Sequence, residues 1–120
     1  MEIRVVEKGE NRAAVVDGEG TVFTDVQGAL DFMTQIRYDS GCDCAVVPQS
    51  SVSAEFFDLK TGLAGEILQK FTNYGFRIAF VGDFADIKAK SLRDFIYESN
   101  RAKRYLFVAG VQEALDIYLG

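Results

Sequence analysis

The sequence contains no histidine. Histidine is the usual general base at neutral pH and the commonest metal ligand in proteins, so one chain cannot build a Ser-His-Asp or Cys-His catalytic site. The only cysteines, Cys42 and Cys44, supply too few thiolates to complete a tetrahedral zinc site and lie too close in sequence to bridge easily. We expect Cys44 to be a core residue of a strand, Cys42 to be a loop thiol, and no cofactor to be bound.

Long apolar runs and proline-rich segments are also missing. A membrane-spanning helix needs about 20 apolar residues in succession, and no run of that length is present. The single proline, Pro48, leaves no stiff linker, and the first eight residues have the pattern of a charged strand rather than of a signal peptide. These features predict one domain over residues 1–120, located in the cytoplasm without a membrane contact.

An excess of positive charge is absent as well. The chain has 13 basic and 18 acidic side chains, a formal net charge of −5, whereas a nucleic-acid-binding surface is basic. We therefore expect no nucleic-acid partner. Basic residues are concentrated only in residues 86–105, as Lys88, Lys90, Arg93, Arg101, Lys103 and Arg104. The favoured interpretation is solvated helix and strand ends; the alternative is a contact patch for an anionic group.

Apolar periodicity predicts five strands and four helices in the order β-β-α-β-α-β-α-β-α. The predicted strands are residues 2–7, 12–16, 44–47, 76–81 and 105–109. The alternation of helices and strands is typical of an α/β domain with a single, mainly parallel sheet, and the opening hairpin adds one antiparallel edge strand. Thr24 with Gln27 fits a capping box for the first helix, Gly41 ends that helix, and Ser91 is the expected cap of the third.

The longest helical pattern runs from Thr61 to Tyr74 and ends at Gly75, a residue typical of a C-terminal cap. Its apolar residues recur every three or four positions and form one stripe: Leu63, Ala64, Ile67, Leu68, Phe71 and Tyr74. Asp58 or Thr61 is the expected N-cap. Two glycines, Gly62 and Gly65, each cost about 1 kcal/mol relative to alanine in a helix interior. Our hypothesis is that another molecule approaches the backbone closely there.

Hydroxyl side chains cluster before this helix: Ser50, Ser51, Ser53 and Thr61. A hydroxyl can cap backbone N–H groups, which is the simpler interpretation. It can also carry a phosphate, which a helix N-terminus stabilises by about 0.3–1 kcal/mol. The candidate interaction or phosphorylation site comprises Thr61, Ser51, Ser53, Asp58, Gly62 and Gly65.

Three aspartates are predicted in loops near strand ends: Asp17, Asp58 and Asp83. Ligands of an open parallel sheet gather outside the carboxyl ends of its strands, and carboxylates there could hold magnesium. Asp58 and Asp83, together with Arg77 or with the basic group of residues 88–104 that includes Lys88 and Lys90, would form the anion or metal contact of a small enzyme. Capping and turn roles are the simpler alternative for all three aspartates.

Three stretches carry a family resemblance. F-F-D-L-K-T-G-L-A-G-E-I-L-Q-K-F at residues 56–71, G-D-F at 82–84 and L-R-D-F-I-Y-E-S-N at 92–100 closely resemble the bacterial family named domain of unknown function 4180. The resemblance extends from about residue 22 to the end of the chain and implies no activity.

A second resemblance lies in Asp58 followed by Thr61-Gly62-Leu63 at a helix start. This is similar to the anti-sigma-factor antagonist (STAS) domain, where a D-S-S-G-L-type segment opens the helix after the third strand and a partner kinase phosphorylates a serine in it. The resemblance implies a STAS-like α/β fold and matches Thr61 to the phosphorylated position. This chain departs from the pattern, because Leu59-Lys60 replaces the first serine with one residue too many and the hydroxyl belongs to threonine.

These observations favour a non-enzymatic, cytoplasmic interaction domain that binds a protein partner through residues 50–61 and the exposed face of the long helix. One alternative is the small enzyme or anion- or metal-binding protein described above. The other is a dimerisation module, in which the loop aromatics Phe56, Phe57 and Phe84 would be exposed at a homodimer interface. Burial of these aromatics in the monomer core is the favoured interpretation.

Overall fold

The computed structural model describes all 120 residues. The five strands are β1 (Glu2–Lys8), β2 (Asn11–Asp17), β3 (Cys44–Pro48), β4 (Arg77–Val81) and β5 (Tyr105–Val108). The four helices are α1 (Val26–Ser40), α2 (Leu63–Asn73), α3 (Lys90–Ala102) and α4 (Val111–Leu119). The predicted order of elements is confirmed. None of the helices combines the length and the hydropathy that crossing a membrane requires.

The strands form one sheet in chain order, β1-β2-β3-β4-β5. β1 runs antiparallel to β2, and the other three pairs are parallel. The β1–β2 hairpin turns through Gly9 and Glu10, with Gly9 at a φ of 62°. A positive φ at the first turn residue suits the twist of a two-residue hairpin and favours glycine there. The prediction of a mainly parallel sheet with one antiparallel edge is confirmed.

The two faces of the sheet are covered differently. Neighbouring parallel strands are also consecutive in the chain, and right-handed crossovers then place α1, α2 and α3 on the same face. All ten phenylalanines lie in or against the core on that face, which we call the phenylalanine face: Phe23, Phe32, Phe56, Phe57, Phe71, Phe76, Phe80, Phe84, Phe95 and Phe107.

The opposite face, which we call the α4 face, is covered by α4 alone. Its core contains no phenylalanine and consists of Ala13, Val15, Cys44, Val46, Ala79, Leu106, Val108, Ala114, Leu115, Tyr118 and Leu119. Ala13 of β2 and Ala79 of β4 are fully buried on this face, and their small side chains let the helix backbone lie close to the sheet.

The starts of α1 and α3 differ from the prediction. Asp25, not Thr24, is the N-cap of α1, and its Oδ1 accepts a hydrogen bond of 2.7 Å from the Gly28 N–H. The third helix begins at Lys90, and no side chain caps it, so the predicted cap at Ser91 is wrong. Aspartate, serine and threonine all carry capping oxygens, and their order in the sequence does not reveal which one the chain places in range.

The C-terminus of α2 follows the prediction. The Phe76 N–H bonds to the Phe71 carbonyl at 2.8 Å and the Gly75 N–H to the Thr72 carbonyl at 3.2 Å, with Gly75 at a φ of 69°. This is a Schellman motif, and its expected apolar contact is made by the rings of Phe71 and Phe76, 5.0 Å apart. Tyr74 is exposed rather than part of the buried stripe, because the helix ends before it.

Candidate functional site

The residues predicted for the interaction or phosphorylation site lie in or beside the segment that joins β3 to α2, residues 49–62, which we call the β3–α2 connection. It consists of three short 3₁₀ turns, Gln49–Ser51, Ala54–Phe57 and Leu59–Thr61, rather than an irregular loop. It follows the carboxyl end of β3, the side of a parallel sheet where binding sites usually form.

Apolar side chains hold this connection against the phenylalanine face. Val52 forms an isolated parallel bridge with Phe23, and the Val22 N–H donates to the Ser51 carbonyl at 2.7 Å. Phe56 is 1% exposed, and its ring centroid lies 4.9 Å from that of Phe80 in the central part of the sheet. The predicted burial is confirmed for Phe56, whereas Phe57 and Phe84 are half-buried and pack against the core. The buried ring of Phe56 makes the connection a fixed surface.

A close backbone approach anchors the start of the connection. A Cβ built on Gly82, just after β4, would lie 2.7 Å from the Cβ of Gln49. Carbon atoms do not pack that closely, so glycine at position 82 is required for Gln49 to pack over the end of β4. No periodicity or motif in the sequence distinguishes Gln49.

The start of α2 differs from the prediction that Thr61 begins the helix. The helix begins at Leu63, and its N-cap is Gly62 with a φ of 76°. That left-handed conformation by itself accounts for glycine at position 62. Asp58 does act as a cap, but for the preceding turn, since its Oδ1 accepts from the Lys60 N–H at 3.2 Å.

The Thr61 hydroxyl joins the last 3₁₀ turn to α2. Its Oγ1 accepts a hydrogen bond of 3.2 Å from the Leu63 N–H and lies 2.9 Å from the carbonyl oxygens of both Glu55 and Asp58. The hydroxyl therefore donates to one of these carbonyls while it accepts from the helix. Thr61 is nevertheless exposed, so its oxygen is both structural and accessible from solvent.

Gly65 has no such structural explanation. It lies in the first turn of α2, is exposed, and has no positive φ. A Cβ built on it would meet no atom within 4 Å. Alanine would fit this position and favour the helix by about 0.5–1 kcal/mol. The glycine leaves the backbone of α2 open beside the β3–α2 connection.

The serines of the connection are not equally accessible. Ser50 is exposed, whereas Ser51 is 3% exposed, so a kinase could not reach Ser51 without displacing the connection. Ser53 is half-buried, and its Oγ lies 3.5 Å from the Thr24 carbonyl oxygen, the limit of a weak hydrogen bond. Thr61 and Ser50 are the two accessible hydroxyls of the cluster.

The three aspartates near strand ends each have a separate local partner. Asp17 forms an exposed ion pair with Arg4 at 3.2 Å. Asp58 caps its own turn, and the Oδ1 of Asp83 accepts from the Ala85 N–H at 3.1 Å. No group of three His, Cys, Asp or Glu side chains in the chain could hold a metal ion. These contacts are those of turn and capping residues.

Arg77 is not at the end of the sheet where it was predicted. It is the first residue of β4, so it lies at the amino ends of the parallel strands, away from Asp83. Its guanidinium stacks on the Tyr118 ring at 4.6 Å from the centroid.

The two lysines predicted for the same site also lie apart from the aspartates. Lys90 pairs with Asp94 at 2.6 Å within α3, and Lys88 is exposed in the loop before it. The structure does not assemble these cations around the aspartates.

The two cysteines are both buried and not joined by a disulfide. Cys44 lies in the core, as predicted, whereas Cys42 is 1% exposed and is part of the phenylalanine-face core rather than a loop thiol open to solvent. Burial raises the pKa of Cys44 from 9.0 to about 11. The thiol is protonated at neutral pH, so it is a poor nucleophile there.

A shallow depression of about 340 Å³ opens on the β3–α2 connection, lined by Gln49, Ser50, Val52, Ala54 and Phe57. Its lining combines apolar carbon with an amide and a hydroxyl and contains no charged group. Such a surface suits contact with a mixed polar and apolar protein side chain better than binding of an ion.

Comparison with known proteins gives one match. A family model described as "Domain of unknown function (DUF4180)" matches residues 8–117. No curated protein matches the chain, and no solved structure matches it.

Proposed function

This chain belongs to the DUF4180 family, and within it we propose a non-enzymatic, regulatory protein-interaction domain that acts in the cytoplasm. The contact surface consists of the β3–α2 connection and the exposed first turn of α2. The observation that carries the proposal is Gly65, an exposed helical glycine that packing does not require. A protein partner that lies against the backbone at this position would account for it.

The surroundings of Gly65 support a protein partner. The connection beside it is held from inside by Val52 and Phe56, so association would not have to order a flexible loop, which lowers the entropic cost of binding. The depression beneath Ser50 offers a recess for one partner side chain.

We further propose that phosphorylation of Thr61 switches this surface. Once phosphorylated, Oγ1 of Thr61 has no proton to donate to the carbonyls of Glu55 and Asp58, each of which lies 2.9 Å from it. The charged phosphate oxygens would also repel these carbonyl oxygens. The first turn of α2, which no side chain of the N-cap residue stabilises, would attract it. The Leu59–Thr61 turn would then have to rearrange. The similarity of Thr61-Gly62-Leu63 to the phosphorylated segment of STAS domains supports this proposal.

The contact surface can be tested by site-specific photo-crosslinking in cells of the source organism. A crosslinking amino acid at Glu66, which is exposed beside Gly65 in the first turn of α2, leaves that glycine intact. It should capture one protein in a defined ratio, and unlabelled wild-type chain should compete for it. The matched control carries the same group at Gln35, which is exposed on α1. Equal capture from both positions, or capture that unlabelled chain does not reduce, would contradict the proposed surface.

The switch needs a separate measurement on the captured partner. Thr61→Glu should change the dissociation constant by at least about tenfold, a change of about 1.4 kcal/mol. Thr61→Val, which removes the hydroxyl without adding charge, should bind within about threefold of wild type. Phosphopeptide mass spectrometry should find modified Thr61. Equal binding of Thr61→Glu and wild type would rule out the switch and leave the contact surface standing.

A further inference from the structure

The two edges of the sheet differ in how their backbone groups are satisfied. At the β5 edge, the Asn100 side chain of α3 forms two hydrogen bonds with one residue. Its Oδ1 accepts from the Phe107 N–H at 2.7 Å, and its Nδ2 donates to the Phe107 carbonyl at 3.1 Å. The amide of Asn100 thus occupies the place of a neighbouring strand. It closes this edge against the addition of another chain.

The β1 edge has no equivalent cover. Its seven residues pair with β2 on one side only, and no strand lies on the other. Lys8 and Asn11 flank the two-residue turn and form a hydrogen-bonded pair. Every second residue of β1 before Lys8 likewise bonds to β2, and the residues between them direct their backbone N–H and C=O groups away from the sheet. The outward residues are Ile3, Val5 and Glu7. Val5, at the centre, is also 37% exposed.

Only two of the four charged residues of β1 form ion pairs within the chain. Arg4 pairs with Asp17 at 3.2 Å and Glu7 with Arg12 at 3.0 Å, so both are held to β2. Glu2 and Lys8 form no ion pair within the chain. They are opposite in sign and lie three residues to either side of Val5.

We propose that β1 is the contact surface for a second copy of this chain, with the two β1 strands antiparallel about a two-fold axis through Val5. Glu2 of each copy is then opposite Lys8 of the other, and the two Val5 residues face each other. Antiparallel strands place opposing residues on the same face of the sheet, so the nearest alternative axes pass through Arg4 or Val6. An axis through Arg4 would place Glu2 opposite the apolar Val6 of the other copy. An axis through Val6 would place Arg4 opposite Lys8 of the other copy, and these two side chains repel. The dimer joins two five-stranded sheets into one.

Sedimentation equilibrium of the full chain tests this proposal, at concentrations from about 10 μM to about 1 mM because edge pairing is a small interface. The expected mass rises from 13.3 kDa towards twice that value. In the dimer, each of the single variants Glu2→Lys and Lys8→Glu creates two pairs of like charges, one at each end of the paired strands. Each should therefore raise the dissociation constant about tenfold. The double variant E2K/K8E restores both pairs and should return it to within about twofold of wild type.

Two controls separate the pairing from other effects. Glu10→Lys changes the net charge as Glu2→Lys does, but it lies in the turn outside β1 and should leave association unchanged. Concentration-dependent amide exchange should show protection of Val5 in the dimer. A monomer at every concentration, equal association of both single variants and wild type, or no recovery in the double variant would overturn the proposal. None of these outcomes bears on the β3–α2 connection.

Discussion

The two faces of the sheet reach burial by different means. The phenylalanine face holds all ten phenylalanine rings beneath three helices, and neighbouring rings meet in tilted, edge-to-face or stacked pairs. The α4 face has one nine-residue helix laid on alanine and valine, and its large aromatic is Tyr118, whose hydroxyl donates to the Arg104 carbonyl at 2.7 Å. The phenylalanine face fills its core with large side chains. The α4 face fills its core by bringing the helix close to small strand residues, and its core includes polar groups.

This difference assigns separate physical roles to the faces. Each buried aromatic removes about 150–250 Å² from water, so the phenylalanine face contributes most of the apolar burial and supports the β3–α2 connection. The α4 face contains both groups whose pKa is strongly raised, Cys44 and Tyr118, and burial is the main cause for each. We therefore expect the first face to dominate stability and the second to determine its response to alkaline pH.

The largest expected effect comes from removing a ring at the centre of the phenylalanine face. Phe80→Ala should lower the free energy of unfolding by about 3–5 kcal/mol, because Phe80 is fully buried and its ring meets those of Phe56 and Phe107. Leu115→Ala on the α4 face should cost about 2 kcal/mol, since this side chain is smaller than phenylalanine and is 6% exposed rather than fully buried. Urea unfolding followed by circular dichroism measures both. Equal losses would refute the proposed difference between the faces.

A smaller effect should appear on raising the pH. The folded state holds the Cys44 proton up to about pH 11, whereas the unfolded thiol releases it near 9.0. Above pH 9 the unfolded state therefore binds fewer protons, and stability falls as the pH rises. Between pH 8 and pH 11 we expect a loss of about 1–2 kcal/mol from this group.

Variants can locate this pH dependence on the α4 face. Cys44→Ala and Tyr118→Phe should each flatten the plot of unfolding free energy against pH above 9, and together they should remove most of its slope. Tyr118→Phe also loses the hydrogen bond to Arg104, a constant cost of about 1 kcal/mol at every pH. An unchanged slope in the double variant would locate the alkaline sensitivity elsewhere in the chain.

The smallest effect concerns the outer surface of the phenylalanine-face helices. Gly65→Ala should raise the free energy of unfolding by about 0.5–1 kcal/mol, because the added methyl group meets open space and alanine favours the helix. Gly62→Ala is the matched control and should lower it by about 1–2 kcal/mol, because its φ of 76° strains any residue with a Cβ. Thermal unfolding measures both. A destabilised Gly65→Ala variant would reveal a structural need for that glycine.

Local patterns predicted much of the fold. The opening hairpin, the strands around residues 44–47 and 76–81, and the buried stripe of α2 all follow from periodicity, since a helix or strand shows its buried face in the spacing of its apolar residues. Gly41 and Gly75 were assigned to helix ends correctly, because few residues other than glycine adopt a left-handed conformation without strain.

One kind of error is a choice between chemically equivalent neighbours, and another is the end of the sheet at which a residue lies. Asp25 and Thr24 can both cap α1, and only the path of the preceding chain places the Asp25 carboxylate within 2.7 Å of the Gly28 N–H. Arg77 was expected beside the aspartates at the carboxyl ends of the strands, but its place at the start of β4 puts it against Tyr118 instead. The strand predicted over residues 76–81 already has Arg77 near its amino end, so the direction of that strand is inconsistent with a place beside these aspartates.

The sequence by itself determined the type and order of the elements, the antiparallel hairpin and the exclusion of histidine chemistry, because each depends on local periodicity, turn residues or composition. Only the tertiary structure decided that all the phenylalanines share one face, that Thr61 bonds to two preceding carbonyls, that Gly65 stands in open space and that Asn100 closes one sheet edge while β1 stays open. These properties depend on which distant segments meet, and the burial of the whole core selects that arrangement.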